Sequence, residues 1–253
     1  MDMRIAINGY GSMGKEVEKA LLQRGHAVAA RIDPAQPADS KILTKEIAAS
    51  SDIAIEFSAP DAALANAENY ARFGLSAVVG TTGWYSRLDD MKKILSTSGI
   101  GYLYGSNFSI GAHIYFALVA AAAELAATSP EYDVLGYEIH HKRKKDSPSG
   151  TALSIAKIIM AAHARKKALV TEKLDRAVKE DELHFASVRG GEFPGTHTVL
   201  VDSAFDTIEL THTARSRGGF ALGAVRAAEW LADRKGIFEV GEFIRDILGR
   251  KGT

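Results

Sequence analysis

Two rhythms of apolar and polar positions alternate along the first hundred residues. Arg4 to Asn8, Ala27 to Ile32, Ile53 to Phe57, Ala77 to Val79 and Tyr102 to Tyr104 are short β-rich runs. Between them, Lys15 to Arg24, Lys41 to Ala49, Ala62 to Phe73 and Leu88 to Ser96 carry helical spacing. Strand and helix in strict alternation predict a parallel sheet wound on both faces. From Ile110 the texture changes. Ile110 to Ala127 reads as a long, largely apolar helix, Tyr132 to Ile139 as a strand and Ala152 to Ala162 as a helix. Three strand-like runs follow, Phe185 to Arg189, Thr196 to Ser203 and Thr207 to Ala214, before Phe220 to Trp230 and Phe238 to Leu248 return to helical spacing. The expected class is α/β with two domains. The doubly wound sheet occupies residues 1–107 and is completed by helices in 218–253, while 108–217 form a second α+β domain with an open mixed sheet, one face of which could bury against another subunit.

The first turn sharpens this picture. Gly9-Tyr10-Gly11-Ser12-Met13-Gly14 follows a strand and opens a helix, the context of a Rossmann-type dinucleotide-binding loop. In such a loop the first glycine permits the tight turn, the second lets backbone approach the pyrophosphate and the third allows close helix–strand packing. Asp33 ends the second strand at the distance where an acidic residue binds the adenosine ribose hydroxyls. Ligands on parallel sheets sit beyond the carboxyl ends of the strands. Three further turns offer small or hydroxylated residues there: Ser58 after Phe57, Gly80-Thr81-Thr82, and Ser106-Asn107-Phe108. Ordinary turn chemistry would use the same residue types. Hinges near Asn107 and Arg217 would let domain closure carry a bound nicotinamide toward the second domain.

Composition excludes several classes. In 253 residues, Lys+Arg 31 balances Asp+Glu 31, which argues against a general nucleic-acid binder. With no cysteine there is no disulfide framework, thiolate metal site or cysteine nucleophile, in keeping with a reducing cytoplasm. Met1-Asp2-Met3-Arg4 leads straight into a strand, unlike a signal peptide. The apolar run Ala117 to Ala127 is interrupted by Glu124 and is too short to span a bilayer, so no membrane partner is expected. Arg165 to Glu182 reads as an exposed connection.

The positive charge is local. Glu138-Ile139-His140-His141-Lys142-Arg143-Lys144-Lys145-Asp146-Ser147-Pro148-Ser149-Gly150-Thr151-Ala152 places adjacent imidazoles and four cations just ahead of a helix start. Ser149, Gly150 and Thr151 would form the first turn of that helix, where unpaired amides and the positive dipole end favour a carboxylate. Taken alone, the run also fits a solvated face or a polyanion patch. Neighbouring residues in a strand point to opposite faces, so His140 and His141 are not expected to share a metal ion. His197 and His212 read as structural or interfacial.

These residues resemble the dihydrodipicolinate reductase (4-hydroxy-tetrahydrodipicolinate reductase) family over essentially the whole chain. The most specific part is the E-x-H-H-x-x-K-x-D-x-P-S-G-T-A signature from Glu138 to Ala152, joined in order by the glycine loop, the G-T-T-G turn at Gly80, the S-N-F-S turn at Ser106 and the G-x-H-x-V strand at Gly195. The resemblance implies reduction of a cyclic dicarboxylate in lysine and diaminopimelate biosynthesis with a nicotinamide cofactor, in a homotetramer assembled through the second domain. It implies His140 as proton donor or acceptor, Lys144 as proton donor, and His141, Gly150 and Thr151 as substrate contacts, with Ser149 beside them. Crowding by Lys142, Arg143 and Lys145 is expected to make Lys144 a readier acid.

The chain departs from the family in its shorter glycine loop, which lacks an arginine, and in Pro34, where some members carry another. Both changes remove partners for a 2′-phosphate, so NADH is expected over NADPH, with Arg31 the one residue that could soften the preference. Two other readings stay open on the sequence: a related dehydrogenase acting on an amino-acid semialdehyde, and a nucleotide-binding regulator that contacts DNA or a partner.

Overall fold

The computed structural model describes residues 2–249. In chain order the elements are β1 (Arg4–Asn8), α1 (Ser12–Gln23), β2 (Ala27–Ile32), α2 (Lys45–Ser50), β3 (Ile53–Glu56), α3 (Ala63–Phe73), β4 (Ala77–Val79), α4 (Leu88–Leu95) and β5 (Gly101–Tyr104). There follow α5 (Ile110–Ala127), β6 (Asp133–His140), α6 (Gly150–Ala162), β7 (Ala168–Val170), β8 (Glu182–Arg189), β9 (Thr196–Asp202) and β10 (Thr207–Thr213). The chain ends with α7 (Gly218–Leu231), β11 (Gly236–Glu239) and α8 (Val240–Ile247). Two compact units result: residues up to Ile110 together with those from Arg217 onward, and Gly111–Ser216. Residues 250–253, assigned to the first domain on sequence, lie outside the described residues.

The first unit holds six parallel strands in the order β11-β5-β4-β3-β1-β2. Its strands are apolar on both faces, as a sheet covered twice requires. Ile5, Ile7, Ile53, Ile55 and Val78 enter one core with α1, α7 and α8, whereas Ala6, Ala54, Ala77 and Val79 enter another with α2, α3 and α4. The period of two along each strand thus sorts the side chains between two layers.

Three local expectations shift. Helix α2 begins at Lys45 rather than Lys41, because the Thr44 side chain accepts from Ile47 N–H and caps it there. Phe238 is not helical: Gly236 to Glu239 pair in parallel with Gly101 to Tyr104 as an edge strand, and a capping box between Glu239 and Glu242 starts α8 only afterwards. The connection from Arg165 to Glu182 contains the short strand β7.

The second unit is a mixed sheet, β10-β9-β6-β8-β7, in which β6 pairs antiparallel with β9 and parallel with β8. Its residues Val134, Phe185, Leu183, Val199 and Val201 meet Tyr115, Val119 and Ala123 of α5 and Ile155, Ala156 and Ile159 of α6. On the opposite face Leu135, Tyr137 and Ile139 of β6 are only half-buried. At 18 residues and mean hydropathy 1.6, α5 is long and apolar enough by length and composition to cross a membrane. The helix has the bounds read from the sequence, but the expectation of too short a run, made for Ala117 to Ala127 alone, does not hold for its full length; its Tyr115, Val119, Ala123 and Ala126 nevertheless join the core of this unit.

Arg165 ties the start of this sheet to α5, with Nη2 donating to the carbonyls of Ala126, Ser129 and Tyr132 at 3.1, 3.1 and 3.0 Å. Replacing Arg165 by Ala leaves those helix-end carbonyls without their donor and is expected to lower the unfolding free energy by about 2 kcal/mol in a urea titration.

Candidate active site

In the first unit the glycine loop has the shape a pyrophosphate needs. Gly9 lies at φ 95°, and a Cβ there would collide with the Phe57 carbonyl; one on Gly14 would collide with the Gly9 carbonyl. A Cβ on Gly11 would meet nothing within 4 Å, so this glycine faces open space. Gly11 is also the N-cap of α1 and offers no side-chain cap, leaving the first-turn amides beside exposed Ser12 for an anion. Met13 and Tyr10 pack partly against the core. The residues present fit a dinucleotide.

Asp33 shapes the same loop. Its carboxylate accepts from Tyr10 N at 2.8 Å and from Ala35 and Gln36 N at 2.8 and 2.9 Å. Burial alone would raise its pKa, but these three backbone donors outweigh that and hold it below the usual range. Arg31 is engaged by Glu18 through both Nη2 and Nε, lies 3.2 Å from Asp39 and stacks over the Tyr10 ring.

At the other strand ends several of the expected side chains turn inward. The Ser58 and Thr81 hydroxyls, expected to meet the cofactor, both donate to Glu56, at 2.6 and 3.2 Å. Phe108 is buried in the core, edge-on to Phe57 at 6.5 Å, with Gly223 against its carbonyl. Asn107 Oδ1 accepts from Ser109 N at 2.8 Å. Thr82 and Ser106 are exposed in these turns, and Ser58, Gly80 and Asn107 are half-buried.

In the second unit the signature run is built around Glu138, which is 0 % exposed. Oε1 accepts from Ser149 N at 2.9 Å, Ser187 Oγ at 2.9 Å and Arg189 Nη2 at 2.8 Å. Oε2 takes the Ser149 hydroxyl and lies 3.3 Å from both His140 Nδ1 and His197 Nε2. Burial would raise the carboxyl pKa, yet His197, Ser149 and Arg189 together drive it far down. Strand geometry explains the convergence: Glu138 stands opposite His197 on β9 and opposite Ser187 on β8.

The Ser149 side chain accordingly turns inward. It is buried, and besides binding Glu138 it caps α6 by accepting from Ala152 N at 3.1 Å. The cap leaves Gly150 and Thr151 as the first-turn residues, and a Cβ on Gly150 would meet nothing within 4 Å. Upstream, backbone bonds from His141 N to Phe193 O, Lys142 N to Gly191 O and Gly190 N to His140 O clasp the basic loop to residues 190–193. His141 Nδ1 is enclosed with no hydrogen-bond partner among the described residues. A Cβ on Gly195 would stand 2.9 Å from His140 Nε2, so only glycine lets that imidazole lie where it does.

Around Lys144, Arg143 pairs bidentately with Glu192 at 2.8 and 2.6 Å, and Lys142 and Lys145 are exposed. Lys144 Nζ itself pairs with Asp146 Oδ1 at 2.9 Å. The His140 pKa is pushed down to about 4, first by burial and then by the neighbouring cations, against the pull of Glu138. At neutral pH it is an uncharged imidazole.

Glu138, His140 and His197 bring three potential metal ligands within 4.8 Å of one another. The Ser149 hydroxyl already takes the oxygen that faces the two imidazoles, and the Arg189 guanidinium 2.8 Å from the other oxygen opposes a second cation there. A cleft of about 590 Å³ lined by Asp133, His163, Arg165 and Lys166 lies at the other end of α6 and contains none of these groups. Sequence reasoning missed Ser187, Arg189 and His197 as parts of the cluster. The alternation of Glu138 and His140 on one strand face was the available signal.

A parallel sheet with an open glycine loop, joined to a mixed sheet carrying a neutral histidine, a lysine and an uncluttered helix start, is the equipment of a nicotinamide-dependent oxidoreductase. Family models agree on which one. Residues 3–108 match that of the dihydrodipicolinate reductase N-terminus and residues 111–244 that of its C-terminus. The chain belongs to the dihydrodipicolinate reductase family. It is 38% identical over 246 residues to the 4-hydroxy-tetrahydrodipicolinate reductase of Christiangramia forsetii, covering 97% of this chain and 99% of that one. The enzyme of the same name from Ralstonia nicotianae is 36% identical over 275 residues, covering 98% and 100%. A dipicolinate-bound dihydrodipicolinate reductase from Paenisporosarcina sp. TG-14 shares the fold at a TM-score of 0.75 and 22% identity, covering 94% of this chain and 98% of that one.

The depressed His140 pKa has a thermodynamic consequence. Between pH 6.5 and about 4 the unfolded chain binds a proton at this residue that the folded chain refuses, so stability is lost as pH falls through that window. Allowing for partial solvent access, the loss is of order 2 kcal/mol. Thermal melts from pH 7.5 to 4 are expected to show it, and His140→Asn is expected to flatten that part of the profile; a wild-type melting temperature that rises on acidification contradicts the assignment.

Proposed function

We propose that this reductase reduces 4-hydroxy-tetrahydrodipicolinate in the route to diaminopimelate and lysine, with NADH as its preferred cofactor. The observation that carries the substrate class is the start of α6: Glu138 and the Ser149 cap fix the helix end, and Gly150 stands open beside Thr151. One substrate carboxylate docks on these first-turn amides, and His141, with its enclosed Nδ1, and the adjacent cations hold the other. When bound, the reduced nicotinamide supplies the hydride. Lys144, positioned by its ion pair with Asp146, delivers the proton that the reduced ring requires, its flexible stem following the acceptor. His140 acts as the neutral partner that relays or accepts a proton.

The cofactor preference rests on charge. Asp33 ends β2 ionised, Pro34 follows it, and Arg31 is held by Glu18 and Asp39 instead of facing a 2′-phosphate. Gly9, Gly11 and Gly14 admit the pyrophosphate, and backbone at Ser58, Gly80 to Thr82 and Ser106 to Phe108 lines the nicotinamide side. We assign residues 1–107 with 218–253 to cofactor binding and 108–217 to substrate binding and assembly. The half-buried β6 face of Leu135, Tyr137 and Ile139 supports a homotetramer built through that sheet. A cytoplasmic location suits a chain without cysteine.

The test is NADH oxidation followed by absorbance, with the condensation product of pyruvate and aspartate semialdehyde generated in the cuvette. Oxidation is expected to need both precursors and to be inhibited by pyridine-2,6-dicarboxylate; none with either nucleotide refutes the substrate assignment. In the same assay kcat/KM is expected to be at least tenfold higher for NADH than for NADPH, and a clear NADPH preference overturns the reading of Asp33 and Arg31. His140→Gln and Lys144→Ala are each expected to lower kcat about 100-fold or more while leaving nucleotide affinity within about twofold.

A further inference from the structure

Among the described residues Glu56 is the other carboxylate with no solvent exposure, and the reaction has no direct use for it. It ends β3, with Asn8 at the end of β1 opposite it on one side and Val79 of β4 opposite it on the other. Oε1 accepts the Ser58 and Thr81 hydroxyls, and Oε2 accepts the Tyr70 hydroxyl at 2.9 Å. Each donor is in turn fixed from behind: Thr81 Oγ1 accepts from Ser58 N at 2.8 Å, Ser58 Oγ from Asn66 Nδ2 at 3.2 Å, and the Tyr70 oxygen from Asn8 Nδ2 at 2.7 Å. The backbone adds two bonds of 2.8 Å, from Gly80 N to Glu56 O and from Phe57 N to Asn8 O. One buried side chain therefore knots together the carboxyl ends of three neighbouring strands.

We propose that Glu56 is a positioning residue for the cofactor: by drawing the hydroxyl protons of Ser58 and Thr81 inward, it sets the backbone of the β3 and β4 turns in the one geometry that receives the nucleotide. The inference rests on the cofactor reading given above. The chemistry of the knot explains why these hydroxylated residues serve the site without touching the ligand. Their protons point at a carboxylate, and their lone pairs are taken by Ser58 N–H and Asn66. Glu56 has no cation among its partners, so burial dominates and raises its pKa, while four hydroxyl and amide neighbours partly oppose that. A glutamine of the same size would keep one acceptor oxygen and turn an amide donor toward hydroxyls that are already donors.

The test compares NADH dissociation constants, read by fluorescence of the bound nucleotide, in Glu56→Gln, Thr81→Val, Thr81→Ser and Gly11→Val, each with a thermal melt and steady-state kinetics. Glu56→Gln and Thr81→Val are expected to weaken NADH about tenfold, in proportion to one misdirected hydrogen bond. The KM for the dicarboxylate at saturating NADH should stay within about twofold, and Thr81→Ser, which keeps the hydroxyl, should restore affinity. A lowered melting temperature with unchanged NADH affinity would mean that the knot only stabilises the sheet, and would overturn the proposal. Gly11→Val separates this failure from that of the cofactor reading, since it fills the open space of the glycine loop: if it too binds NADH normally, the loop is not the nucleotide site. Should Glu56→Gln fail to fold, the Thr81 pair decides, and equal affinity in Thr81→Val and wild type overturns the inference.

Discussion

A carboxylate cannot be taken fully out of water unless donors replace the water, and Glu138 meets that condition with groups drawn from four separate parts of the chain. Ser149 comes from the start of α6, Ser187 and Arg189 from β8, His197 from β9 and His140 from its own strand. Removing any one of them leaves an under-compensated charge, so they are held together, and with them the features that matter chemically. The α6 start is fixed because its cap is a Glu138 ligand. The His140 ring is fixed because it stands between Glu138 and Gly195. Arg189 reaches on to the Asp146 carbonyl at 2.7 Å, which ties in the loop that carries Lys144.

The two units solve the same problem differently. Glu56 and Glu138 are both fully buried near the end of a central strand, yet their acidities move in opposite directions. Hydroxyl and amide donors leave Glu56 dominated by desolvation, whereas the His197 imidazole, Ser149 and the Arg189 guanidinium hold the Glu138 pKa far down.

Much of this was legible in the sequence, for identifiable reasons. Alternating periods of two and 3.6 give the winding of the first unit because both faces of its sheet are buried, so the apolar runs are dense and their ends are marked. The glycine loop could be read because each glycine answers a separate steric demand, two against carbonyls and one against open space. The basic run ahead of α6 was legible as a candidate site. Its wiring was not. Glu138 meets His197 and Ser187 only because β6 lies between β9 and β8 in one register, and that pairing joins residues about fifty positions apart. The same limit hid the roles of Ser149, Ser58 and Thr81, whose hydroxyls suit a ligand by type but are claimed by buried carboxylates. Short edge strands such as β7 and β11 were missed because three or four residues carry too little periodicity to outweigh their surroundings.

The central claim is that Glu138 builds the dicarboxylate site from within, without touching the ligand. Calorimetric titration of pyridine-2,6-dicarboxylate into wild type and Glu138→Gln tests it most directly, with NADH affinity measured on the same preparations. The account predicts binding at least tenfold weaker in the variant while NADH affinity stays within about twofold. Equal affinity for the dicarboxylate in the two proteins would contradict it.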